Sequence, residues 1–267
     1  IASAASWWVP SQYPGASFNG GIVINSTQPL ASMSNVVVSG GTSGRTSYAA
    51  YSGFDASTIG TTLYAPAILR NYGVYYTVIG VQNASTSPVN VSLQYYNTAG
   101  TLVWTDNTSV VNLPPGAVKK INHNDASQSS LGTTFAGMLK AVATGNIAIA
   151  VVEVTNPLSA LYSYNAMASG AQDVYLAAVH KNYNPWGGAI CIVNLNGPAD
   201  PVNVDVEFWY LGAWVATYTR NVSAVDQFWV PTTYPALPEP RIYEVRLHSQ
   251  DAGNPLVAMV NELNPNT

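Results

Sequence analysis

The chain holds three histidines, His123, His180 and His248, and they bound what general acid–base chemistry it could do. None falls at a matching place in the two internal copies described below. A Ser-His-Asp triad or a three-histidine zinc site would therefore have to gather residues from distant parts of the molecule, and ordinary turn or surface histidines are the expectation. Two carboxylate pairs come next. Glu153 and Glu262 sit near the closing strands of the two copies, one register apart, while Asp205 and Glu207 share the polar face of one expected strand. Glycoside hydrolysis needs two carboxylates roughly 5 to 10 Å apart in a cleft. A convex sandwich face offers no cleft, so these read as solvated strand charges. Lys181, Glu207 and Asn261 together resemble the ingredients of an autocatalytic Lys–Asn isopeptide crosslink, but Arg70 stands where the other copy would need a lysine. No phosphate loop, dinucleotide-binding glycine pattern, zinc signature or calcium loop occurs. The expectation is a protein without catalytic residues, cofactor or metal, hence not an enzyme.

Charge narrows the partners. Nine basic and thirteen acidic residues in 267 give a net charge of −4, and only 8% of residues are charged, against 48% hydrophobic. So weak a field does not hold nucleic acid or an anionic membrane surface. No apolar run reaches the roughly 18 to 20 residues a membrane-spanning helix needs. The single cysteine, Cys191, lies in the apolar run AICIVN, has no internal disulfide partner and reads as a core residue. Residues 1–6 (IASAAS) lack the basic start and apolar stretch of a signal peptide, consistent with export followed by removal of a leader. Asn25, Asn83, Asn90, Asn107 and Asn221 head Asn-X-Ser/Thr sequons and are candidate glycan acceptors. Ser, Thr, Asn and Gly must supply the polar surface, a mixture typical of exported β proteins.

Self-similarity organises the chain. LYAPAILRNY from Leu63 returns as VYLAAVHKNY from Val174, a spacing of 111, which also carries VIGVQN from Val78 onto AICIVN from Ala189. VNVSLQYYNTAGTLVWT from Val89 matches VNVDVEFWYLGAWVAT from Val202, and TGNIAIAVVEVTNP from Thr144 matches AGNPLVAMVNELNP from Ala252. A partial third copy precedes them: WVPSQYP from Trp8 is nearly WVPTTYP from Trp229, and QPLASMSN from Gln28 follows NPLVAMVN from Asn254. The division is an incomplete unit (1–38), a linker (39–62), a full unit (63–157), a linker (158–173) and a second full unit (174–267).

Within each unit the hydrophobic period is two. Val89, Val91, Leu93 and Tyr95 alternate with Asn90, Ser92, Gln94 and Tyr96, as Val202, Val204, Val206 and Phe208 do with Asn203, Asp205, Glu207 and Trp209. Turn residues punctuate these runs at sandwich spacing. Strands are expected near 63–70, 75–83, 89–97, 101–111, 117–122, 134–143 and 147–155, seven in about 95 residues, the proportion of an immunoglobulin-like sandwich. The fold class is all-β: tandem Ig-like seven-stranded sandwiches plus an N-terminal partial unit of about three strands.

The blocks LYAPAILRNY, VIGVQNAS, VNVSLQYYNTAG, LPPGA and IAIAVVEVTNP resemble β-sandwich repeats of large secreted and cell-surface proteins of thermophilic, often filamentous, bacteria. These are turn and core motifs, so the resemblance implies a fold and an extracellular or cell-surface location and no chemistry. The partial unit adds a function. Three strands without their sandwich partners leave an apolar face and open edges exposed, so Trp7, Trp8, Ile22, Ile24, Leu30, Met33, Val36 and Val38 are the expected polymer interface. Completion by strands of another chain, or by domain docking, is a head-to-tail contact, which builds a filament or lattice unless it closes. The expected partner is thus the chain itself, with covalent glycans as further candidates. The competing expectation is a carbohydrate-binding or adhesive module of a larger exported protein, because exposed Trp and Tyr stack on sugars as well as on protein.

Overall fold

The computed structural model describes residues 20–38, 46–155 and 160–263. Sixteen strands lie among them: β1 (Met33–Val38), β2 (Ser47–Ser52), β3 (Gly60–Arg70), β4 (Tyr75–Asn83), β5 (Val89–Asn97), β6 (Leu102–Leu113), β7 (Val118–Asn122), β8 (Phe135–Thr155), β9 (Leu161–Asn165), β10 (Asp173–Lys181), β11 (Gly187–Asn194), β12 (Val202–Tyr210), β13 (Ala213–Val222), β14 (Val225–Trp229), β15 (Arg241–Ser249) and β16 (Leu256–Leu263). Among the described residues, helix is confined to a 3₁₀ turn at Ala126–Leu131 and one α turn at Val230–Thr233. The protein is all-β, and every strand pairing is antiparallel.

Each full unit is a two-sheet sandwich. In the second, β10-β15-β12-β13 faces β14-β11-β16. In the first, the long strand β8 serves both sheets: its first half pairs with β3 and β5, and its second half with β4 and β9. The layers are therefore β3-β8-β5-β6 and β7-β4-β8-β9. The alternation read from sequence decides which side is buried. Val89, Val91, Leu93 and Tyr95 point into the first core, and Val202, Val204, Val206 and Phe208 into the second. Each such side chain contributes about 1.5–3 kcal/mol by leaving water.

Buried polar residues at matching positions fix the loops. Asn83 ends β4, and its amide donates to the carbonyls of Ser87 and Leu113, both at 2.8 Å. Asn194 ends β11 and donates to Asp200 and Ser223 carbonyls at 2.7 and 3.0 Å. The buried cation at the end of the first strand of each unit does the same for the connection between sheets. Arg70 donates to the carbonyls of His123, Asp125 and Gly132, and Lys181 to Leu237 at 2.8 Å and to the Glu239 carboxylate at 2.9 Å. The arginine or lysine at this place closes a loop that backbone pairing alone leaves with unsatisfied carbonyls.

The segments read as linkers hold structure of their own. Within 158–173, β9 pairs with β8 from Val154↔Leu161 to Ala150↔Asn165. Within 39–62, β2 pairs with β1 from Met33↔Ser52 to Val38↔Ser47, and β3 begins at Gly60. Of the expected partial unit, the described residues contain one strand, β1, partnered inside the same chain. The alternating Tyr and Ser or Ala of SYAAYS and LYSYN suit a strand that flanks a closing strand. β2 in turn rests on β9, where the Ser163 hydroxyl donates to the Ala50 carbonyl at 2.7 Å and the Asn165 amide to the Ser52 carbonyl at 2.9 Å.

Candidate functional site

The region with the most unusual chemistry is the seam between the two sandwiches. It starts from a bulge. The β3–β8 register slips between Ala65 and Ile68, and the β10–β15 register slips between Leu176 and Val179, the same place in each copy. A bulge turns backbone groups out of the ladder. In the first sandwich these groups are met by side chains: Ala67 N–H donates to the Tyr164 hydroxyl at 3.1 Å, that hydroxyl donates to the Ala67 carbonyl at 2.5 Å, and Leu69 N–H reaches Thr77 Oγ1 at 3.3 Å.

Over this bulge lies the outer face of β11, β14 and β16 from the second sandwich. Ala67, Cys191 and Met259 form one apolar cluster, and Tyr64, Met138, Val193, Val225 and Val257 another. Gln227 Nε2 donates to the Pro66 and Gly137 carbonyls at 2.9 and 3.1 Å. At the centre, Asn261 Nδ2 donates to both oxygens of Glu153, at 2.8 and 2.9 Å. Glu153 is 1% exposed. Burial pushes its carboxyl up to about 7, with the Asn261 hydrogen bond pulling the other way. Burial, then the charges of Glu153 and Asp226, push the Cys191 thiol far up, so it is inert at neutral pH.

The candidates for chemistry are placed separately. His123 is wholly buried between Thr77 Oγ1 (2.9 Å) and the Tyr95 hydroxyl (3.1 Å), and burial drives its pKa down to about 4. His180 is 2.5 Å from Glu262, and His248 is 2.7 Å from Asp173, which also binds Arg246. Asp205 accepts from Thr219 and Gln250, and Glu207 pairs with Arg246. The crosslink ingredients are divided as well: Lys181 is held by Glu239, Asn261 by Glu153 and Glu207 by Arg246. Among the described residues, no three His, Cys, Asp or Glu side chains come together as a metal site.

Three expectations are corrected. Glu153 is not a solvated strand charge but is buried in the seam against Asn261. Glu153 and Glu262 are not one register apart: Glu153 pairs with Thr77 and Glu262 with Gly188, and Thr77 and Gly188 are themselves related by the 111-residue spacing. The connection into β16, residues 250–255, is three residues longer than its counterpart, 144–146, which hides the equivalence in the aligned text. The sequon at Asn83 is closed in the folded chain, since the side chain is buried and its amide is spent on two carbonyls. Asn25, Asn90, Asn107 and Asn221 are exposed.

Of the expected polymer-interface residues, Trp7 and Trp8 lie outside the described residues, as does the side chain of Val38 on β1. Ile22, Ile24, Leu30 and Met33 are exposed, and Val36 is half-buried. Sequence reasoning placed Cys191 in a core but missed that it is the first sandwich, not the core of its own, that it faces across the seam. The signal was present. β11 reads AICIV, an unbroken apolar run, where β4 reads VIGVQ, and an unbroken run marks a strand buried on both faces.

The chain matches no protein-family model and no curated protein.

Proposed function

We propose that this chain is an extracellular structural protein, the protomer of a filament or surface-layer-like polymer assembled head-to-tail. The observation that carries the reading is the row of large apolar side chains left in water by the N-terminal segment, with Ile22, Leu30 and Met33 at 47, 49 and 67% exposure. Apolar groups held together at a strand and its approach invite a partner. The sparse charge fits this role, because a chain with only 8% charged residues offers little repulsion between copies. The histidines and carboxylates named above are engaged inside a core, across the seam or in sheet-face pairs, and the reading gives none of them a catalytic part. Export is supported by the polar-uncharged surface and the four open sequons.

The test is assembly of the full chain, followed by sedimentation and electron microscopy across a dilution series, beside a variant lacking residues 1–38. Concentration-dependent polymers that vanish in the truncated variant are expected. Polymers unchanged by the truncation, or a wild type that stays monomeric, would overturn the reading.

A further inference from the structure

The seam inside the chain is a template whose two halves recur, uncovered, elsewhere on the molecule. The acceptor half is the bulged first strand of a sandwich. In β3 every residue from Leu63 to Arg70 is buried, because the second sandwich lies over it. In β10, its counterpart, Tyr175, Ala177 and Ala178 face water, with Tyr175 at 72% exposure. Tyr175 corresponds to Tyr64, and Ala178 to Ala67, by the 111-residue spacing. The carboxylate is repeated too. Glu262 occupies the place of Glu153, although it turns to the N–H and ring of His180, whose counterpart N–H at Leu69 is served by Thr77 instead.

The donor half is the closing strand. In the seam, Met259 packs on Ala67, and Asn261 binds Glu153. The block QPLASMSN sets Met33 and Asn35 of β1 where NPLVAMVN sets Met259 and Asn261. Being two apart on a strand, Met33 and Asn35 share a face, and both are exposed. Among the described residues β1 pairs with β2 alone. One molecule thus shows an acceptor without a donor at its second sandwich, and a donor without an acceptor in its N-terminal segment.

We infer that the exposed β10 ridge of the second sandwich receives strand β1 of a second copy of this chain, with Met33 seated against Ala178 beside Tyr175 and the Asn35 amide donating to Glu262. The contact joins two different surfaces, so it is heterologous and propagates instead of closing as a symmetric dimer. It rests on the head-to-tail reading above and gives that reading its two surfaces.

The test uses two single variants of the full chain at exposed positions, Met33→Glu (donor blocked) and Ala178→Arg (acceptor blocked), with Tyr175→Glu as a second acceptor variant. Unchanged thermal melting certifies their folding. Each variant alone should sediment as the 28.3 kDa monomer. Mixed in equal amounts, the donor-blocked copy still offers β10 and the acceptor-blocked copy still offers β1, so the mixture should form a capped pair of twice the monomer mass and grow no further. If wild type polymerises but both acceptor variants polymerise equally well, or if the mixture stays monomeric while wild type polymerises, the β10 ridge takes another occupant and this inference falls while the polymer reading stands. A wild type that remains monomeric removes both.

Discussion

Glu153→Gln isolates the energetics of the seam. Glu153 titrates near its ordinary 4.5 when unfolded and at about 7 when buried against Asn261. A raised folded value means the folded state prefers the protonated acid. The site's contribution to stability is therefore complete below the unfolded value, falls as pH climbs toward 7, and is level above it. Integrating proton uptake between those values gives a loss of about 2 kcal/mol between pH 5.5 and pH 8, because one pKa unit is worth about 1.4 kcal/mol. Glutamine has no charge to bury, and its Oε1 still accepts from Asn261. The variant should hold its stability across that range while wild type declines, so the gap between them widens by about 2 kcal/mol in the variant's favour. Equilibrium urea unfolding of both proteins at several pH values, followed by tryptophan fluorescence, reads the gap directly. A gap constant with pH would refute the burial argument. A gap widening the other way would mean that Glu153 is a stabilising anion.

His123 is buried as a neutral ring with a folded value of about 4, the opposite sign to Glu153: its contribution is present above the unfolded value of 6.5 and is lost as pH falls toward 4. Its ring carbon resonances in NMR should stay unshifted from pH 7 to pH 5. Lys181→Met should destabilise the second sandwich by about 2–4 kcal/mol in thermal or urea unfolding, since it leaves the Leu237 carbonyl unpaired in a buried loop. Mass spectrometry of glycopeptides from an N-glycosylating host should find no sugar on Asn83, with any occupancy confined to the four exposed sequons. Cys191 should resist a thiol reagent in the native state and react fully in denaturant, because both its burial and its raised pKa hold it as a thiol.

What the sequence makes legible follows from which forces act locally. The period-two runs at Val89–Tyr95 and Val202–Phe208 place their strands and cores directly, because alternation has one physical cause, a face turned from water. Expected strand bounds in the first sandwich agree with β3–β8 to within three residues at each end, apart from the merging of the last two expected strands into β8. The β9 and β2 strands were not legible. Tyr, Ser and Ala are too weakly patterned to announce a strand, and what orders LYSYN is the open edge of β8, a feature of the assembled sheet. The seam is a third kind of case. Its residues carry no motif, and their meaning lies in a difference between repeats: Cys191 against Gly80, Val193 against Gln82, Thr77 against Gly188.

That difference bears on why duplication suits such a protein. Two identical units would present identical faces, and nothing would decide which face meets which. Here the second unit has an apolar outer face on β11, whereas the first keeps Gly80 and Gln82 on β4, so within a chain the second sandwich docks on the first and not the reverse. The difference at position 188, Gly where the first copy has Thr77, has a directional effect as well. Gly188 cannot serve the bulge N–H as Thr77 does, so Glu262 must do so, and it is held by His180 at 2.5 Å where Glu153 is free to reach across the seam. A contact to Glu262 has to share it with His180 and should be weaker than the one inside the chain. If copies join through β10, chains should separate from one another before their own sandwiches come apart. Gly188→Thr brings a Cβ to 2.9 Å from Val179 Cγ1, so Val179 must give way; with that shift made, the hydroxyl that Thr77 supplies releases Glu262 and should strengthen the contact between copies and lower the concentration at which sedimentation detects polymer. No change in that concentration, with folding intact, would show that Glu262 takes no part in joining copies.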